Sequence, residues 1–340
     1  MTEACPGRPL SIEDPPVTRP WQRAVTWLPA PLRRRIYVDQ LRFAPSELEG
    51  LVFKLAETRN ERDQAFSVVH DAYARRGIIA PHPSGWFATP FSFLPTTATV
   101  VAKAGDRVIG TVSLVEDSPC GLPLEAAYPG TVDTYRRRSR RVAEVSSLAV
   151  TPGLRGRGVP FMLYYLMFRW AYRYRYLDDL VMTVHPRMGD FFRTVLLFDQ
   201  VGPERDLPGL KQAPAVALRQ DLRAIAGTFS RVHRPRRSPG SGFDLFSFFA
   251  GCDFHEQIRF PDLLGTEVAE VPRWDESDVV YFVRHGALDW EQLAPEIRAY
   301  LQARYPGIRP TSTVFPAKER HPGEGRGQDP GSGMTLGTAT

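Results

Sequence analysis

One stretch decides the fold of this chain: Glu144-Val-Ser-Ser-Leu-Ala-Val-Thr-Pro-Gly-Leu-Arg-Gly-Arg-Gly-Val-Pro160. The residues from Val145 to Val150 are apolar or β-compatible, which predicts a buried strand. Thr151-Pro152-Gly153 then supplies turn chemistry. A loop of alternating arginine and glycine follows, and Pro160 can open a helix that runs on from Phe161. The stretch therefore predicts a strand, a turn, a basic glycine loop and a helix, in that order.

A helix that begins after such a loop can bind a phosphate group. Its first turn has unpaired N–H groups and the positive end of the helix dipole, and glycine lets a phosphate approach the backbone closely. A Walker loop is excluded because no Gly-Lys-Ser/Thr follows the glycines, and the Gly-x-Gly-x-x-Gly dinucleotide spacing is also absent. We predict that the phosphate-binding residues are Arg155, Gly156, Arg157, Gly158 and Val159.

The segment and its surroundings resemble the GNAT N-acyltransferases. Motif A of these enzymes reads Arg/Gln-x-x-Gly-x-Gly/Ala, which Arg155 and Gly158 match and Pro160 matches imperfectly. Downstream, Leu180–Arg187 and Phe191–Phe198 resemble the next strand and helix of that fold. Several segments of the sequence therefore match the GNAT fold in the same order.

The upstream segments agree with the same fold. Phe53–Glu57 and Glu61–Arg76 are predicted as the first strand and the first helix of the domain. Val100–Ala104 and Arg107–Val115 are predicted as a hairpin around Gly105-Asp106.

Together with Gln212–Leu218, these blocks are similar to the bacterial long-chain N-acyl amino acid synthases. Those enzymes are GNAT relatives of the autoinducer synthases, and they join a fatty acyl group to the amine of an amino acid. The match spans Leu51 to Leu222. The resemblance implies an α/β protein with a GNAT-like central mixed sheet flanked by helices. We expect a smaller helical region at the C-terminal side.

The composition suggests how the chain is divided. We predict an irregular N-terminal extension (1–50), a GNAT-like N-acyltransferase domain (51–223), a Pro/Ser/Arg/Gly linker (224–242), a helical accessory region (243–308) and a disordered tail (309–340). In the accessory region, Ser277–Val283 and Leu293–Tyr305 are predicted helices, with Asp275 or Ser277 as an N-cap.

The cysteines and the apolar runs of the sequence indicate the cellular compartment of the protein. Cys5, Cys120 and Cys252 form no Cys-x-x-Cys pair, which argues against a disulfide framework and favours a reducing interior. Residues 1–20 lack the apolar core of a signal peptide, and the run Phe161–Phe168 is too short to span a bilayer. We therefore expect a cytoplasmic protein with no transmembrane segment, whose contact with a membrane is at most peripheral.

The positive charge is concentrated in runs of arginine. The formal net charge is +5, and one run lies just before the predicted active strand: Arg136, Arg137, Arg138, Arg140 and Arg141. Such a run indicates an anionic partner, and acyl carrier proteins are acidic; a solvated arginine-rich surface is the alternative. Nucleic acid is not expected as a partner, because the sequence has no aromatic-basic RNA-binding pattern, zinc finger or helix-turn-helix signature.

The resemblance implies where an acyl thioester would lie. GNAT strands splay beside the strand that precedes the glycine loop, and the thioester occupies that split. Backbone N–H groups of Leu148, Ala149 and Val150 would then stabilise the charge that develops on the thioester oxygen. An amino acid arrives mostly as an ammonium ion, so a base is also needed. We predict no metal site.

Glu144 is the first candidate for that base, because it begins the strand at a place where several GNAT enzymes have a carboxylate. The alternative for Glu144 is a salt bridge with Arg140 or Arg141, which would lower its pKa. His185 is the second candidate. It lies at the C-terminal end of a predicted strand, and the ordinary pKa of histidine is near neutrality.

Two departures from the GNAT pattern bear on the chemistry. Many GNAT enzymes protonate the leaving thiolate with a tyrosine in the helix after this strand, but this chain has Phe191 and Phe192 there. A thiol of pKa ~8.5 leaves without much protonation, and Tyr164 and Tyr165 are expected to pack in the core. Pro160 removes one backbone donor, which suits a single phosphopantetheine phosphate better than the pyrophosphate of CoA.

We therefore expect an N-acyltransferase that moves a long-chain fatty acyl group from acyl carrier protein to the amine of an amino acid. No permanently bound cofactor is expected; the acyl-phosphopantetheine of the carrier protein, or acyl-CoA, is the co-substrate. Two alternatives remain: an acyl-CoA-dependent GNAT enzyme that acts on another amine, and a non-catalytic module that binds acyl chains or carrier protein.

Overall fold

The computed structural model describes residues 25, 27–41, 45–152, 158–211, 213–233, 245–250, 258–260 and 268–308. The strands in these ranges are β1 (Leu51–Leu55), β2 (Thr97–Ala104), β3 (Arg107–Glu116), β4 (Val142–Val150), β5 (Asp179–Val184), β6 (Asp199–Gln200), β7 (Arg205–Leu207), β8 (Ala213–Asp221) and β9 (Ile258–Arg259). The helices are α1 (Ala30–Gln40), α2 (Arg59–Arg75), α3 (Asp133–Arg137), α4 (Gly158–Arg169), α5 (Pro186–Thr194), α6 (Leu222–His233), α7 (Leu245–Ala250), α8 (Glu276–Arg284) and α9 (Pro295–Arg304).

One mixed sheet forms the centre of the protein. Its strand order is β6-β8-β5-β4-β3-β2-β1-β9, and β7 pairs with β8. The pairs β4–β5 and β1–β9 are parallel, and the other pairs are antiparallel. The predicted mixed sheet flanked by helices is confirmed, and so is the hairpin, whose Gly105 has φ +58° in the turn.

The two faces of the sheet carry different helices, because side chains alternate along each strand. In β2, Val100 and Ala102 pack with α4, whereas Val101 between them packs with α2. In β4, Ala143 and Val145 also belong to the core under α4. The side chain of Glu144 therefore lies on the face that α2 covers.

The start of α2 is fixed by a capping box. The Thr58 side chain accepts a hydrogen bond from the Glu61 N–H, and the Glu61 carboxylate accepts from the Thr58 N–H. On the other face, α4 approaches the sheet closely because β3 has a glycine there. A Cβ atom at Gly110 would lie 3.0 Å from Leu163 Cδ1.

Two predicted boundaries are wrong. The extension 1–50 was predicted to be irregular because it is rich in proline, but residues 30–40 form α1, with Pro31 in the first helical turn where its missing N–H costs nothing. The domain end at residue 223 falls inside α6, so the linker cannot begin there. The linker remainder at 234–242 and the predicted disordered tail at 309–340 lie outside the described residues.

The predicted C-terminal helices are confirmed as α8 and α9. The Asp275 side chain caps α8 by accepting a hydrogen bond of 2.7 Å from the Ser277 N–H. This region packs on the α2 face through an aromatic cluster, which we define as Phe66, Trp86, Phe93, Trp274, Phe282, Trp290 and Tyr305. No helix within the described ranges is both long enough and apolar enough to cross a bilayer.

Candidate active site

The central sheet splits between β4 and β5. These two strands pair only from Val142↔Asp179 to Glu144↔Val181, although β4 continues to Val150 and β5 to Val184. Three residues of β4 beyond the split, 146–148, are partly accessible even though the strand is central. The strands therefore separate beyond Glu144, and we call the opening between them the cleft; the GNAT resemblance implies an acyl thioester in such a split.

Glu144 is a buried carboxyl group at the start of the cleft. It is 2 % exposed, and its Oε2 accepts a hydrogen bond of 2.6 Å from the Leu124 N–H. Burial raises the pKa of Glu144 to about 8; the Leu124 hydrogen bond opposes this rise, and the nearby Glu125 charge adds to it. A carboxyl group with such a pKa can exchange a proton near neutral pH, which is what a general base requires.

The alternative for Glu144, a salt bridge with Arg140 or Arg141, is not formed. The Arg140 guanidinium pairs with Asp179 and Asp221, and the Arg141 guanidinium lies 3.8 Å from Glu116. Both arginines precede β4 and pair with carboxylates of other segments, so proximity in sequence did not indicate contact. The pKa of Glu144 is therefore raised rather than lowered.

A β-bulge interrupts β4 inside the cleft. Ser146 pairs with Ser113 and Ala149 with Thr111, so that two β4 residues, Ser147 and Leu148, face one residue of β3. Ser147 has φ +57°, a conformation that is uncommon for residues other than glycine. Such strained backbone occurs preferentially at functional sites, and here it directly precedes the predicted thioester segment Leu148–Val150.

Tyr73 of α2 packs near Glu144, and it was not predicted from the sequence as a site residue. Its ring packs with the cluster that contains Ala149 and lies 4.9 Å, centroid to centroid, from the Phe87 ring. Burial raises the pKa of Tyr73; the Arg76 charge opposes this rise, and the Glu144 charge adds a smaller contribution to it. Its hydroxyl therefore stays protonated at neutral pH and can donate a hydrogen bond beside Glu144. Only the helical spacing of apolar residues marked this position, and that pattern predicts burial alone.

The predicted phosphate segment is only partly described. The helix α4 begins at Gly158, and both Gly158 and Val159 are buried in its first turn. Pro160 lies within the first turn rather than at the helix start, so the turn lacks one N–H group at that position. Arg155, Gly156 and Arg157 lie outside the described residues.

His185 serves as the N-cap of α5, directly after β5. Its Nδ1 accepts a hydrogen bond of 3.2 Å from the Arg187 N–H. Burial lowers the pKa of His185, and the Arg187 charge lowers it further. The imidazole is therefore neutral near pH 7, and its Nδ1 lone pair is engaged in the cap.

The arginine run is divided between internal and exposed members. Arg136 pairs with Asp117 and Glu125, at 2.6 Å in both cases, and Glu125 also accepts a 2.9 Å hydrogen bond from the Leu122 N–H. These contacts hold the turn from which Leu124 donates to Glu144. Arg137, Arg138 and Arg141 are exposed.

Residues 64–221 match the model of one protein family, FeeM, described as N-acyl amino acid synthase FeeM. No curated protein sequence matches the chain. Among solved structures, the chain is similar to FeeM, an N-acyl amino acid synthase from uncultured soil microbes. The identity is 23 %, the alignment covers 52 % of this chain and 93 % of that chain, and the TM-score is 0.46.

Two further solved structures are similar at lower identity. An acyl-CoA N-acyltransferase from Pseudomonas aeruginosa is 12 % identical over 50 % of this chain and 99 % of that chain, with a TM-score of 0.35. BjaI, a CoA-dependent acyl-homoserine lactone synthase, is 15 % identical over 60 % of this chain and 100 % of that chain, with a TM-score of 0.38.

Proposed function

Residues 64–221 belong to the N-acyl amino acid synthase FeeM family of amide-forming acyltransferases, and from this premise we propose that the protein transfers a long-chain fatty acyl group from acyl carrier protein to the amine of an amino acid. The single observation that carries the proposal is Glu144, a buried carboxyl group with a pKa of about 8 where β4 and β5 separate. That combination supplies a base at the point where an acyl thioester can enter the sheet.

The proposed reaction forms one amide bond and breaks one thioester bond. Glu144 accepts a proton from the ammonium group of the acceptor, and the free amine attacks the thioester carbon. The C–N bond forms, the C–S bond breaks, and the thiolate leaves with the proton from the amine or from water. Backbone N–H groups near Leu148, Ala149 and Val150 would stabilise the oxyanion, at the bulge where the ladder with β3 is interrupted.

Mass spectrometry of lipid extracts tests the function directly. A host that expresses the protein should accumulate N-acyl amino acids, and the mass spectrum identifies both the acyl chain and the acceptor. A host that expresses Glu144→Gln should accumulate far less. Absence of any N-acyl product from the wild-type protein, when the protein is soluble and a carrier-protein donor is present, would contradict the proposal.

Carrier protein is proposed as the donor because of the exposed arginines. Arg136 and Arg140 are committed to internal ion pairs, so we propose docking at Arg137, Arg138 and Arg141, which are exposed. An acidic carrier protein offers an extended surface of complementary charge, and acyl-CoA does not.

Reversing two of these charges should separate the donors. Arg137→Glu with Arg138→Glu is expected to lower kcat/KM for acyl carrier protein about tenfold or more, with little change for acyl-CoA, because rim charges act mainly on association. A matched control reverses two exposed arginines elsewhere, Arg107 and Arg284. Equal losses with both donors, or with the control, would show that the run is a solvated surface.

The basic glycine loop should bind the donor phosphate. Arg155→Ala or Arg157→Ala is expected to raise the donor KM on the order of tenfold, because a charge-assisted hydrogen bond contributes roughly 1.5–3 kcal/mol. The KM of the acceptor should stay unchanged, which serves as the internal control. Unchanged donor KM in both variants would remove the loop from the site.

A further inference from the structure

A cavity of about 560 Å³ lies between the helices α4, α6 and α7. Aromatic and aliphatic side chains form most of its wall, including Tyr165 and Phe168 of α4, Ile225 and Phe229 of α6, and Phe249 of α7. Volumes of this size are typical of small-molecule sites. The wall is suited to an alkyl chain.

The cavity is separate from the cleft at Glu144. Its helix α4 packs on the face of the sheet that includes Ala143 and Val145, whereas Glu144, between them, faces α2. Neither Glu144 nor the bulge residues line the cavity. A molecule bound there is therefore not in contact with the proposed base.

Two residues that line the cavity, Tyr164 and Gln220, each have a buried polar atom without a hydrogen bond of good geometry among the described residues. Tyr164 and Gln220 are 4 % and 3 % exposed, and within the described residues neither the Tyr164 hydroxyl nor Gln220 Oε1 has a hydrogen-bond partner of good geometry. Gln220 Nε2 is already used, since it donates to the Leu196 carbonyl. Burial raises the pKa of Tyr164 well above its ordinary value, so the hydroxyl remains a donor. The two side chains also interact with each other, since Gln220 lowers the pKa of Tyr164 against the effect of burial, so a ligand amide would bind by inserting between this donor and this acceptor.

Two arginines add positive charge to the same cavity. Arg169 and Arg173 both line it, and no carboxylate of the described residues lies within ion-pair distance of either guanidinium. Within the described ranges, the contact of the Arg169 guanidinium is a long one, 3.5 Å, with the Tyr165 hydroxyl. An anionic group on the ligand would find a partner here.

We propose that this cavity binds an N-acyl amino acid at a site distinct from the catalytic cleft. The alkyl chain packs on the aromatic wall and the carboxylate pairs with Arg169. The amide C=O accepts from the Tyr164 hydroxyl, and the amide N–H donates to Gln220 Oε1. A free fatty acid has the chain and the charge but no amide N–H. The inference rests on the proposed function, because the enzyme itself would supply this class of molecule.

Binding is measured by calorimetry on the full chain carrying Glu144→Gln, so that turnover does not interfere. The probes are N-dodecanoylglycine, dodecanoic acid, which lacks the amide, and N-dodecanoylglycinamide, which lacks the carboxylate. N-dodecanoylglycine should bind most tightly of the three. Tyr164→Phe should weaken it about fivefold to tenfold while leaving dodecanoic acid unchanged. Arg169→Gln should weaken N-dodecanoylglycine but not the glycinamide.

A variant whose side chain fills the cavity provides a second test of the binding site. Ser230 lines the cavity from α6, so Ser230→Trp should abolish binding of all three probes, whereas Ala224→Trp, on the exposed side of the same helix, should bind normally. Thermal unfolding checks that both variants are folded. If Ser230→Trp does not fold, Tyr164→Phe decides the question.

Three results would overturn the proposal: no binding of N-dodecanoylglycine, equal binding of all three probes, or insensitivity to Tyr164→Phe. Displacement of the probe by acyl donor in a competitive manner would also overturn it, because the cavity would then be part of the donor channel. Failure of the proposed function would be recognised separately, since it would abolish product formation in the wild-type protein without affecting probe binding.

Discussion

Glu144→Gln is expected to slow acyl transfer by about 10²–10⁴-fold at neutral pH, the usual contribution of a general base. The substitution keeps the size of the side chain and leaves an oxygen that can accept from the Leu124 N–H, so the fold and the donor KM should be retained. Steady-state kinetics with donor and acceptor varied in turn measure kcat and both KM values. A loss confined to donor KM would contradict the role in proton transfer.

The pH dependence of kcat/KM also tests Glu144 as the base. With a pKa of about 8, Glu144 is mostly protonated at pH 7 and becomes an available base as the pH rises through 8. Wild-type kcat/KM should therefore rise with an inflection near that value. The Gln variant should lack this inflection, so its defect should widen as the pH rises through 8 and shrink only at higher pH, where the amine itself arrives deprotonated.

His185→Ala is the matched control, because His185 is the other candidate base. It should cost little activity, since its Nδ1 is engaged in the α5 cap. A near-normal Glu144→Gln enzyme beside a crippled His185→Ala enzyme would transfer the role to His185. Full activity in both would mean that water takes the proton and that the enzyme acts by positioning.

Asp179→Ala is expected to lower the free energy of unfolding by about 3–5 kcal/mol, the cost of breaking a buried ion pair from one side. Asp179 has 0 % exposure, and its carboxylate pairs with Arg140 and accepts a 2.8 Å hydrogen bond from Arg219. Removing it leaves two largely buried guanidinium groups without their shared partner. Urea-induced unfolding, followed by circular dichroism, measures the change.

Asp221→Ala is the comparison, because Asp221 pairs with the same two arginines but its side chain is 30 % exposed. Water can replace part of what Asp221 supplies, so its loss should be clearly smaller. Equal losses for the two variants would mean that burial at Asp179 does not set the energy of this network.

The order of elements around the cleft could be predicted from the sequence because its signals are local. The apolar and β-compatible residues before Thr151 predict a strand. The turn residues Gly105-Asp106 predict a hairpin, and Asp275 predicts the N-cap of a helix. Each of these depends on residues within a few positions of one another. The position of Glu144 beside the split was also predicted, because the family pattern locates that strand.

The environment of Glu144 could not be predicted, because it depends on residues that are distant in sequence. Leu124 and Tyr73 approach Glu144 only in the folded chain, and the nearby arginines turn to Asp179 and Glu116 instead. The sequence therefore left open a salt bridge that would lower the pKa of Glu144, whereas burial raises it. Helix α1 was missed for a related reason. Its Tyr37 hydroxyl donates to Asp190 of α5, at 2.8 Å, and a contact between residues so distant in sequence cannot be predicted from the proline-rich composition of the segment.

The parallel pairing of β1 with β9 has a consequence for biosynthesis. Phe53 of β1 lies opposite Ile258 of β9. Strand β1 is synthesised early, and it can pair with β9 only after that much later segment has been synthesised. On the ribosome, the nascent chain would present β1 as an open sheet edge until the later segment emerges, and open edges invite association with other chains. A gene shortened to the family-matched segment 64–221 would omit both of these strands, and we expect its product to depend on chaperones or to aggregate.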